Sequence, residues 1–430
     1  MNEFKPIKKL NVNRRLSNGK LIIVGQLAQN KSSIYFQYDQ DYLNNYSSLS
    51  PFNLKFNHEV LKAPLLPHNR LHGVFADSLP DDWGLLLMDR IFRQNSIQQT
   101  QITALDRLAY MGENCMGALS YTPVSSFSQS SINEKIKLEQ LGKNAVKLFE
   151  GNMDKILPEL ASIGSPGGAR PKAQIYIKKN DVSQMTIYRK EDYQPWLIKF
   201  TSQILLLGHQ EGLCEAAYLR MTNNCGIEVP NWRLISFNHS DTVVNWLAMQ
   251  RYDCCQNINF QGRYHIHSLC GLLDADFRQS SLDYEDSIRA SQILCKSPEV
   301  GKEFFKRAMF NLFTSNQDDH SKNWEFIQED NGLWRASPFF DITFSPTPFN
   351  EHSSSYGGYG KSPSLKAIQK LANIANFKNW NQAKQVIINI VDEINNWQMI
   401  AKNMNISANK NSMITKHLKQ TQRDNKHLYH

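Results

Sequence analysis

The sequence lacks a long hydrophobic run. None of its 430 residues belongs to an uninterrupted apolar stretch of the roughly 18 residues that a membrane-spanning helix needs. The first residues include lysines, but no apolar segment follows them as it does in a signal peptide. We therefore expect neither a membrane span nor an exported chain, and we predict a cytoplasmic protein without a membrane partner.

Regularly spaced cysteines are also lacking. The seven cysteines are scattered along the chain, and no Cys-x-x-Cys pair is followed by a second pair. Structural zinc sites and disulfide frameworks depend on such spacing. We therefore predict reduced and mostly buried thiols.

The chain has little of the polar bias that marks disordered proteins. Hydrophobic residues make up 41% and charged residues 20%, which predicts a folded protein with more than one packed subdomain. The net charge is +8, and basic residues dominate the C-terminal tail against the single acid Asp424. We expect this tail either to be solvated or to meet phosphate backbones. Its basic residues are Lys402, Lys410, Lys416, Lys419, Arg423 and Lys426.

Changes of pattern divide the chain into three predicted parts. Residues 1–125 open with β-rich segments and continue into helices, and a Ser-rich connector at 123–133 ends this part. Residues 126–255 are predicted to hold a Gly-rich loop, several strands and a helix. Residues 256–430 are predicted to be mainly helical.

Three local signals are the most specific. Asn18-Gly19 predicts a hairpin with a type I′ turn. Asp81 or Asp82 is placed to cap a helix whose apolar residues repeat every 3.6 positions. The clearest apolar stripe lies at 302–314 and predicts a buried helix.

A polar loop follows that apolar stripe. Asp318 and Asn323 lie five residues apart in it, which is the spacing of a kinase catalytic loop. In such a loop the carboxylate orients the substrate hydroxyl and the amide oxygen reaches magnesium. Asp341 follows a predicted hairpin, at a strand end where its carboxylate can bind the metal that bridges the phosphates. Together the three residues predict phosphoryl transfer.

Lys199 completes the predicted site. It projects from an apolar strand that ends in WLIKF at 196–200, and Glu215 follows 16 residues later in a predicted helix, an arrangement in which an ion pair fixes the lysine against nucleotide phosphates. The Gly-rich loop at 164–172 precedes that strand and offers backbone N–H groups with the cations Arg170 and Lys172. It is neither a Walker loop nor the kinase G-x-G-x-x-G loop. The order of these parts predicts a kinase that uses ATP and Mg²⁺.

Three blocks of the sequence resemble the HipA-type serine/threonine kinase toxins of bacterial toxin–antitoxin systems. They are FADSLPDDWG at 75–84, GGARPKA at 167–173 and NxDxHxKN at 316–323. The resemblance spans most of the chain and implies an α+β, bilobal, kinase-like (PI3/4-kinase-like) fold. The mixed α/β N-terminal lobe would include a small β-rich subdomain, and the C-terminal lobe would be mainly α-helical.

The resemblance implies the same roles as the spacing does. Lys199 would contact the ATP phosphates, Asp318 would be catalytic, and Asn323 with Asp341 would bind magnesium. The other residues expected at the nucleotide are Gln250 and Tyr252, beside the adenine, and Gly167, Gly168, Ala169, Arg170, Lys172, Glu215 and His320.

The resemblance further implies a mobile Gly-rich loop that carries a regulatory serine. Autophosphorylation of Ser165, or of Ser162 as second choice, would eject the loop and stop the kinase. A phosphate adds about −1.5 to −2 charges beside Arg170 and Lys172, where it would compete with the nucleotide.

Neighbouring residues receive other predicted roles. Lys322 is expected to steady the γ-phosphate, whereas His320 braces the loop by hydrogen bonding and Asp319 has a structural role. Four residues of the first block are expected to cap and staple a helix and not to join the site: Asp77, Asp81, Asp82 and Trp83.

Three functions are compatible with these residues. The leading one is a toxin kinase, neutralised by a HipB-like helix-turn-helix antitoxin, that phosphorylates an aminoacyl-tRNA synthetase such as glutamate–tRNA ligase and arrests growth. A small-molecule phosphotransferase of the aminoglycoside or choline kinase type shares the Asp-to-Asn spacing. A co-repressor would use the basic tail to contact DNA beside its antitoxin.

Overall fold

The structure is a computed structural model that describes residues 4–128, 137–153, 160, 168–239, 242–256, 260–279 and 282–430. The chain begins with an antiparallel sheet of five strands in the order β4-β3-β2-β1-β5. Its strands are β1 (Lys9–Arg15), β2 (Leu21–Gln29), β3 (Ile34–Tyr38), β4 (Leu61–Lys62) and β5 (Leu119–Thr122). Buried and half-buried residues alternate along β3, as expected where one face of a sheet is covered.

The hairpin between β1 and β2 forms where Asn18-Gly19 predicted it, but the turn type is different. A type I′ turn needs positive φ at both central residues. Asn18 lacks a positive φ, whereas Gly19 has one of 83°. Gly19 N donates to the Leu16 carbonyl at 2.9 Å, and Leu16 N donates to the Lys20 carbonyl at 2.8 Å. The glycine therefore serves a longer loop, and the predicted turn type is wrong.

Helices pack against this first sheet. They are α1 (Gln40–Asn45), α2 (Gly73–Ala76), α3 (Asp82–Gln94) and α4 (Ala104–Met111). α3 buries Trp83, Leu87 and Ile91 in the same hydrophobic core as the sheet, as its 3.6-residue period predicts.

A second antiparallel sheet carries Lys199, the lysine predicted to contact the nucleotide phosphates. Its strand order is β7-β6-β8-β10-β9, with β6 (Lys172–Lys178), β7 (Asp181–Thr186), β8 (Tyr193–Lys199), β9 (Trp232–His239) and β10 (Thr242–Gln250). The helices α5 (Leu138–Phe149) and α6 (Glu211–Asn224) belong to the same part of the chain. The predicted helix at 211–224 is confirmed.

The two sheets share one hydrophobic core. Val24 and Phe36 of the first sheet and Trp196, Ile198 and Trp246 of the second sheet belong to the same buried cluster. The core therefore continues across the predicted boundary at residue 125, so the N-terminal part is packed as a piece of the N-terminal lobe.

The C-terminal part contains a small sheet and most of the helices. Its strands, in spatial order, are β11 (His265–Ser268), β12 (Glu325–Gln328) and β13 (Trp334–Ala336). Its helices are α7 (Leu269–Leu272), α8 (Tyr284–Cys295), α9 (Pro298–Thr314), α10 (Leu365–Ile374), α11 (Trp380–Asn395), α12 (Trp397–Asn403) and α13 (Ala408–Asp424). α9 contains the predicted stripe at 302–314 and lies at the centre of this core, together with Ala216 and Tyr218 of α6. The α+β, two-lobed prediction is confirmed.

The basic tail is a docked helix. α13 buries Ile414 and Leu418, four residues apart, in the C-terminal core, while Lys416, Lys419 and Arg423 stay exposed. The expectation of a merely solvated tail is therefore wrong. Within the described ranges, no helix is both long and apolar enough to cross a bilayer.

Candidate active site

Lys199 forms two ion pairs at the end of β8. Its Nζ lies 2.6 Å from Oε1 of Glu215, on α6, and 2.5 Å from Oδ1 of Asp341. The sheet register places Lys199 between Lys172 of β6 and Leu247 of β10, which fixes the direction of its side chain. The predicted pairing of Lys199 with Glu215 is thus present, and Asp341 joins it.

Burial and charge act against each other in this cluster. Burial alone would lower the pKa of Lys199, but Asp341 and Glu215 hold that pKa above its ordinary value. Burial raises the pKa of Glu215, and Lys199 opposes this. Burial would also raise the pKa of Asp341, yet Lys199 and Lys172 hold it well below its usual range. Lys199 and Asp341 are therefore both ionised at neutral pH.

The predicted catalytic loop begins directly after α9. The chain turns at Ser315, which has a φ of 55°. Asn323 Nδ2 donates to the Asp318 carbonyl at 2.9 Å, and His320 Nε2 lies 3.6 Å from Asp318 Oδ1. The Asp318 side chain is 63% exposed, which is compatible with its predicted role of orienting a substrate hydroxyl. The two predicted functional residues of the loop are thus tied together by one hydrogen bond.

Asp319 supports the loop from below. Its Oδ2 accepts from the Tyr284 hydroxyl at 2.5 Å and lies 2.8 Å from His352 Nδ1. Its Oδ1 accepts from the backbone N–H groups of Ser353 and Ser354 at 2.8 and 3.2 Å. Asp319 is 1% exposed. These contacts support its predicted structural role.

A cleft of about 1020 Å³, including the solvent at its mouth, lies beside Lys199. The predicted site residues that line it are Gly168, Lys172, Lys199, Gln250, Tyr252, His320, Lys322, Asn323 and Asp341. Among the predicted site residues that the structure describes, four are not part of the lining: Asp318, Ala169, Arg170 and Glu215. Glu215 instead lies behind Lys199, and Arg170 pairs with Glu211 at 2.7 Å.

One end of the cleft is suited to the adenine base of a nucleotide. Tyr252 and Phe340 have ring centroids 5.8 Å apart, and Gln250 lies at the same end, where its Oε1 accepts from Asn231 Nδ2 at 2.9 Å. The Tyr252 hydroxyl donates to Glu325 Oε2 at 2.5 Å. Burial raises the pKa of Glu325 to about 8, although the Tyr252 hydrogen bond opposes this shift.

Glu325 was missed by the sequence reasoning. It lies at the start of β12, two residues after Asn323, which ends a short 3-10 helix, so strand alternation does not relate the two side chains. No local pattern in the sequence pointed to Glu325. Its carboxyl group adds a second polar group to the end of the cleft where Gln250 lies.

The first block contributes to the cleft, contrary to prediction. Asp81 is the N-cap residue of α3, but its side chain makes no capping hydrogen bond. Its Oδ1 instead pairs with Lys322 Nζ, and its Oδ2 accepts from Gly168 N at 3.2 Å. Asp77 accepts from Ser268 N at 2.8 Å and lies 2.6 Å from His267 Nδ1. The prediction that these two side chains only cap a helix is wrong.

Part of the Gly-rich loop lies outside the described residues. This applies to Gly167 and to both candidate phosphorylation sites, Ser162 and Ser165. The described end of the loop begins at Gly168, whose φ is 102°. This backbone conformation favours glycine, and a Cβ here would also displace the end of the Lys172 side chain, whose Nζ would lie 2.4 Å away.

Asn323 and Asp341 suit a magnesium ion by their chemistry. Both line the cleft. Since Asn323 Nδ2 is engaged by the Asp318 carbonyl, its Oδ1 is the atom that a cation would meet. Asp341 has a φ of 56°, a conformation that aspartate tolerates better than most residues. It was predicted at a strand end, but it lies in a loop beyond β13. Mg²⁺ in kinases takes one or two such oxygen ligands and completes its shell with phosphates and water.

Comparison with known proteins gives consistent results. Residues 20–122 match the family model of the HipA N-terminal domain, and residues 164–398 match that of the HipA-like C-terminal domain. A search of curated protein sequences returned no match.

Two solved structures are similar to this fold. HipA of Shewanella oneidensis MR-1, solved with HipB and operator DNA, is 15% identical and aligns over 97% of both chains with a TM-score of 0.69. The Helicobacter pylori proinflammatory kinase CtkA is 12% identical, with a TM-score of 0.41 over 59% of this chain and 94% of its own. Because the C-terminal family model alone matches more than half of the sequence, the chain belongs to the HipA family of kinase-like toxin–antitoxin proteins.

Proposed function

We propose that this protein is an ATP-dependent serine/threonine protein kinase and acts as the toxin of a toxin–antitoxin module. The observation that carries the proposal is the position of Lys199. Its two ion pairs bring the second sheet, α6 and the Asp341 loop together in the cleft that Asn323 also lines. Phosphoryl transfer requires such positioned charges more than it requires covalent chemistry.

The residues divide the work as follows. Lys199 holds the nucleotide phosphates, and Asp318 orients the hydroxyl of the acceptor serine or threonine. Asn323 and Asp341 hold Mg²⁺, which neutralises charge on the phosphates when it is bound. Gln250 and Tyr252 lie at the end of the cleft that receives the adenine, with Glu325 beneath them. The exposure of Asp318 favours a protein substrate over one enclosed in a pocket.

Self-inactivation belongs to the same proposal. Ser165, or Ser162 as second choice, is the serine that the kinase would phosphorylate in its own Gly-rich loop. Arg170 and Lys172 support this, because they lie at the C-terminal end of the same loop as cations that a phosphate group would attract. Arg170 already faces the carboxylate of Glu211, so a phosphate there would meet a competing charge.

The proposed partners follow from family membership. A HipB-like antitoxin is proposed because HipA of S. oneidensis was solved in complex with HipB and operator DNA. An aminoacyl-tRNA synthetase such as glutamate–tRNA ligase is the proposed target. A DNA contact within the antitoxin complex is supported by the exposed basic residues of α13, which include Lys416, Lys419 and Arg423.

One experiment tests the central proposal. The purified protein is incubated with γ-labelled ATP, Mg²⁺ and cell extract, next to Asp318→Ala and to Asp392→Ala, an exposed control on α11. We expect label on the protein itself and on one large acceptor in the wild type and the control, and none with Asp318→Ala. Label confined to small molecules would refute the protein kinase and support a small-molecule phosphotransferase. Ser165→Ala and Ser162→Ala then identify the self-labelled serine.

A further inference from the structure

The segment 77–83 belongs to the N-terminal family domain yet lies inside the cleft. Asp77, Ser78, Leu79, Pro80 and Asp81 all line it, together with Lys322 and Asn323 of the predicted catalytic loop. A segment that only begins α3 would not be expected to place the carboxylates of Asp77 and Asp81 in a cleft, because burying a charge costs free energy. Its contacts therefore indicate what it does there.

Asp81 connects the two loops that enclose the phosphate end. Oδ1 pairs with Nζ of Lys322, in the catalytic loop, and Oδ2 accepts from Gly168 N, at the end of the Gly-rich loop, at 3.2 Å. The side chain of Asp81 is 9% exposed and that of Lys322 is 16% exposed. A buried carboxylate with a charged partner resists separation far more than a surface pair does.

Trp83 reinforces this connection from the same turn of chain. Its backbone N donates to the Gly168 carbonyl at 3.3 Å, and its indole Nε1 donates to the Lys172 carbonyl at 3.0 Å. The start of α3 therefore holds the described end of the Gly-rich loop at Gly168 and at Lys172. Trp83 itself is anchored in the N-terminal core at 1% exposure.

Lys322 has a surrounding that suits a charged group aimed into the cleft. Besides Asp81, its Nζ lies 5.1 Å from the centroid of the Phe277 ring, within the range of a cation–π contact. Asp81 and Phe277 both contact the ammonium group of Lys322. Because Asp81 supplies the charged contact, the direction of the Lys322 side chain depends on it. A cation at this place is useful for transfer only when it is correctly aimed.

We propose that Asp81 is a positioning residue for phosphoryl transfer, which aims Lys322 and seats the end of the Gly-rich loop at the same time. The proposal rests on the kinase function proposed above. It means that the N-terminal domain takes part in the reaction through one carboxylate. It also means that the seat of the loop and the aim of Lys322 are coupled.

Two substitutions separate the two contacts. Asp81→Asn removes the charge but keeps an oxygen for Gly168 N, whereas Asp81→Ala removes both contacts. Asp82→Asn and Asp82→Ala are matched controls, because Asp82 is the adjacent residue, is 58% exposed and pairs only distantly with Arg278 at 3.5 Å. Thermal unfolding of each variant establishes that it is folded.

The kinetic test is a double-mutant cycle with Lys322→Met. We expect Asp81→Asn to lower kcat by about 10- to 100-fold with a much smaller change in the KM for ATP, because misaimed groups cost rate. We expect the double variant to be no slower than Lys322→Met alone, because both act through one ammonium. Additive losses, or an unchanged kcat in Asp81→Asn, would overturn the proposal.

Hydrogen exchange provides a test that does not need catalysis. We expect peptides that contain Gly168 to exchange faster in Asp81→Ala than in the wild type, and Asp82→Ala to match the wild type. If the wild type transfers no phosphate but the exchange difference is present, the kinase proposal fails and the seating of the loop stands. If exchange at Gly168 is unchanged in Asp81→Ala, the seating role is refuted whatever the activity.

Discussion

The ammonium of Lys199 lies 2.5 Å from the carboxylate of Asp341, although 142 residues separate them in the sequence. This contact joins the last residue of β8 to the loop after β13, so the proposed phosphate clamp and the proposed metal ligand hold each other in place. Charges that are paired before the nucleotide binds need little reorganisation during the reaction.

Lys199→Met is expected to abolish phosphoryl transfer and to destabilise the fold. The substitution leaves Glu215, at 1% exposure, without its cation, and loss of one partner from a buried pair costs about 3–5 kcal/mol. Chemical denaturation measures the free energy of unfolding, and Lys179→Met, at an exposed position, serves as the control. The double variant Lys199→Met/Glu215→Gln should regain most of the stability but none of the activity. A double variant that is less stable than Lys199→Met would contradict this.

Asp318→Ala is expected to lower activity without lowering stability, whereas Asp319→Ala is expected to lower stability. Asp318 is exposed, so its loss should leave the thermal unfolding midpoint within a degree or two while activity falls by at least about 100-fold. Asp319 accepts four hydrogen bonds while buried, and its loss should cost several kcal/mol, because each unsatisfied partner costs about 1–3 kcal/mol. Calorimetry and a labelled-ATP assay on both variants check this. Equal stability of the two variants would contradict the assignment.

Glu325→Gln is expected to remove a dependence of stability on pH. Burial raises the pKa of Glu325 to about 8, so the folded protein keeps a proton that the unfolded chain releases near its ordinary pKa. Wild-type stability should therefore fall as the pH rises from about 5 to 8, by about 1.4 kcal/mol for each unit of raised pKa, and level off above. The unfolding midpoints of the variant and the wild type should diverge over that range.

Glu351→Gln is the control for Glu325→Gln, since Glu351 is 54% exposed. Midpoints that differ by the same amount at pH 5 and pH 8 would show that Glu325 is ionised in the folded protein. Asp77, Asp253 and Lys322 are the charged groups that influence Glu325, and all three are unchanged in the variant.

Arg251→Met is expected to loosen the contact between the segment that follows β10 and the N-terminal part. Arg251 donates to Asp253 at 2.5 Å and to the Cys115 carbonyl at 3.2 Å, and Asp253 accepts from Gly117 N at 2.8 Å. Burial opposes ionisation of Asp253, but Arg251 lowers its pKa. The ion pair therefore stabilises the fold above the ordinary pKa of aspartate and is lost in acid.

The expected cost of Arg251→Met is about 3–5 kcal/mol at pH 7, and it should shrink as the pH falls below about 4. Urea unfolding at both pH values measures it, with the more exposed Arg335→Met as control. A cost that does not change with pH would show that packing, and not the charge of Asp253, sets the loss.

The sequence was sufficient where the signal was local. The strand that ends in Lys199 and the helix that carries Glu215 were predicted from periodicity, and the distance between them follows from that order. The helix at 302–314 was equally clear, because its apolar residues recur every three or four positions.

The sequence was insufficient where one residue type serves two purposes. An aspartate before a helix reads as a cap, and Asp81 occupies that place while its side chain turns to Lys322, 241 residues away. The Tyr252–Glu325 pair depends in the same way on a contact between distant segments.

One local signal was overlooked. Ile414 and Leu418 are four residues apart, as apolar residues on one face of a helix are, and this spacing indicates that the basic tail docks as a helix.

The common core of the two sheets also bears on how local unfolding and proteolysis would affect the protein. Trp196 and Ile198 of the second sheet are buried in the same cluster as the N-terminal sheet, and Ile198 is the direct neighbour of Lys199. Local opening of the N-terminal sheet would therefore disturb the packing beside the proposed phosphate clamp. A protease that cuts the first strands would weaken the proposed activity from a part of the chain that is far from Lys199 in the sequence.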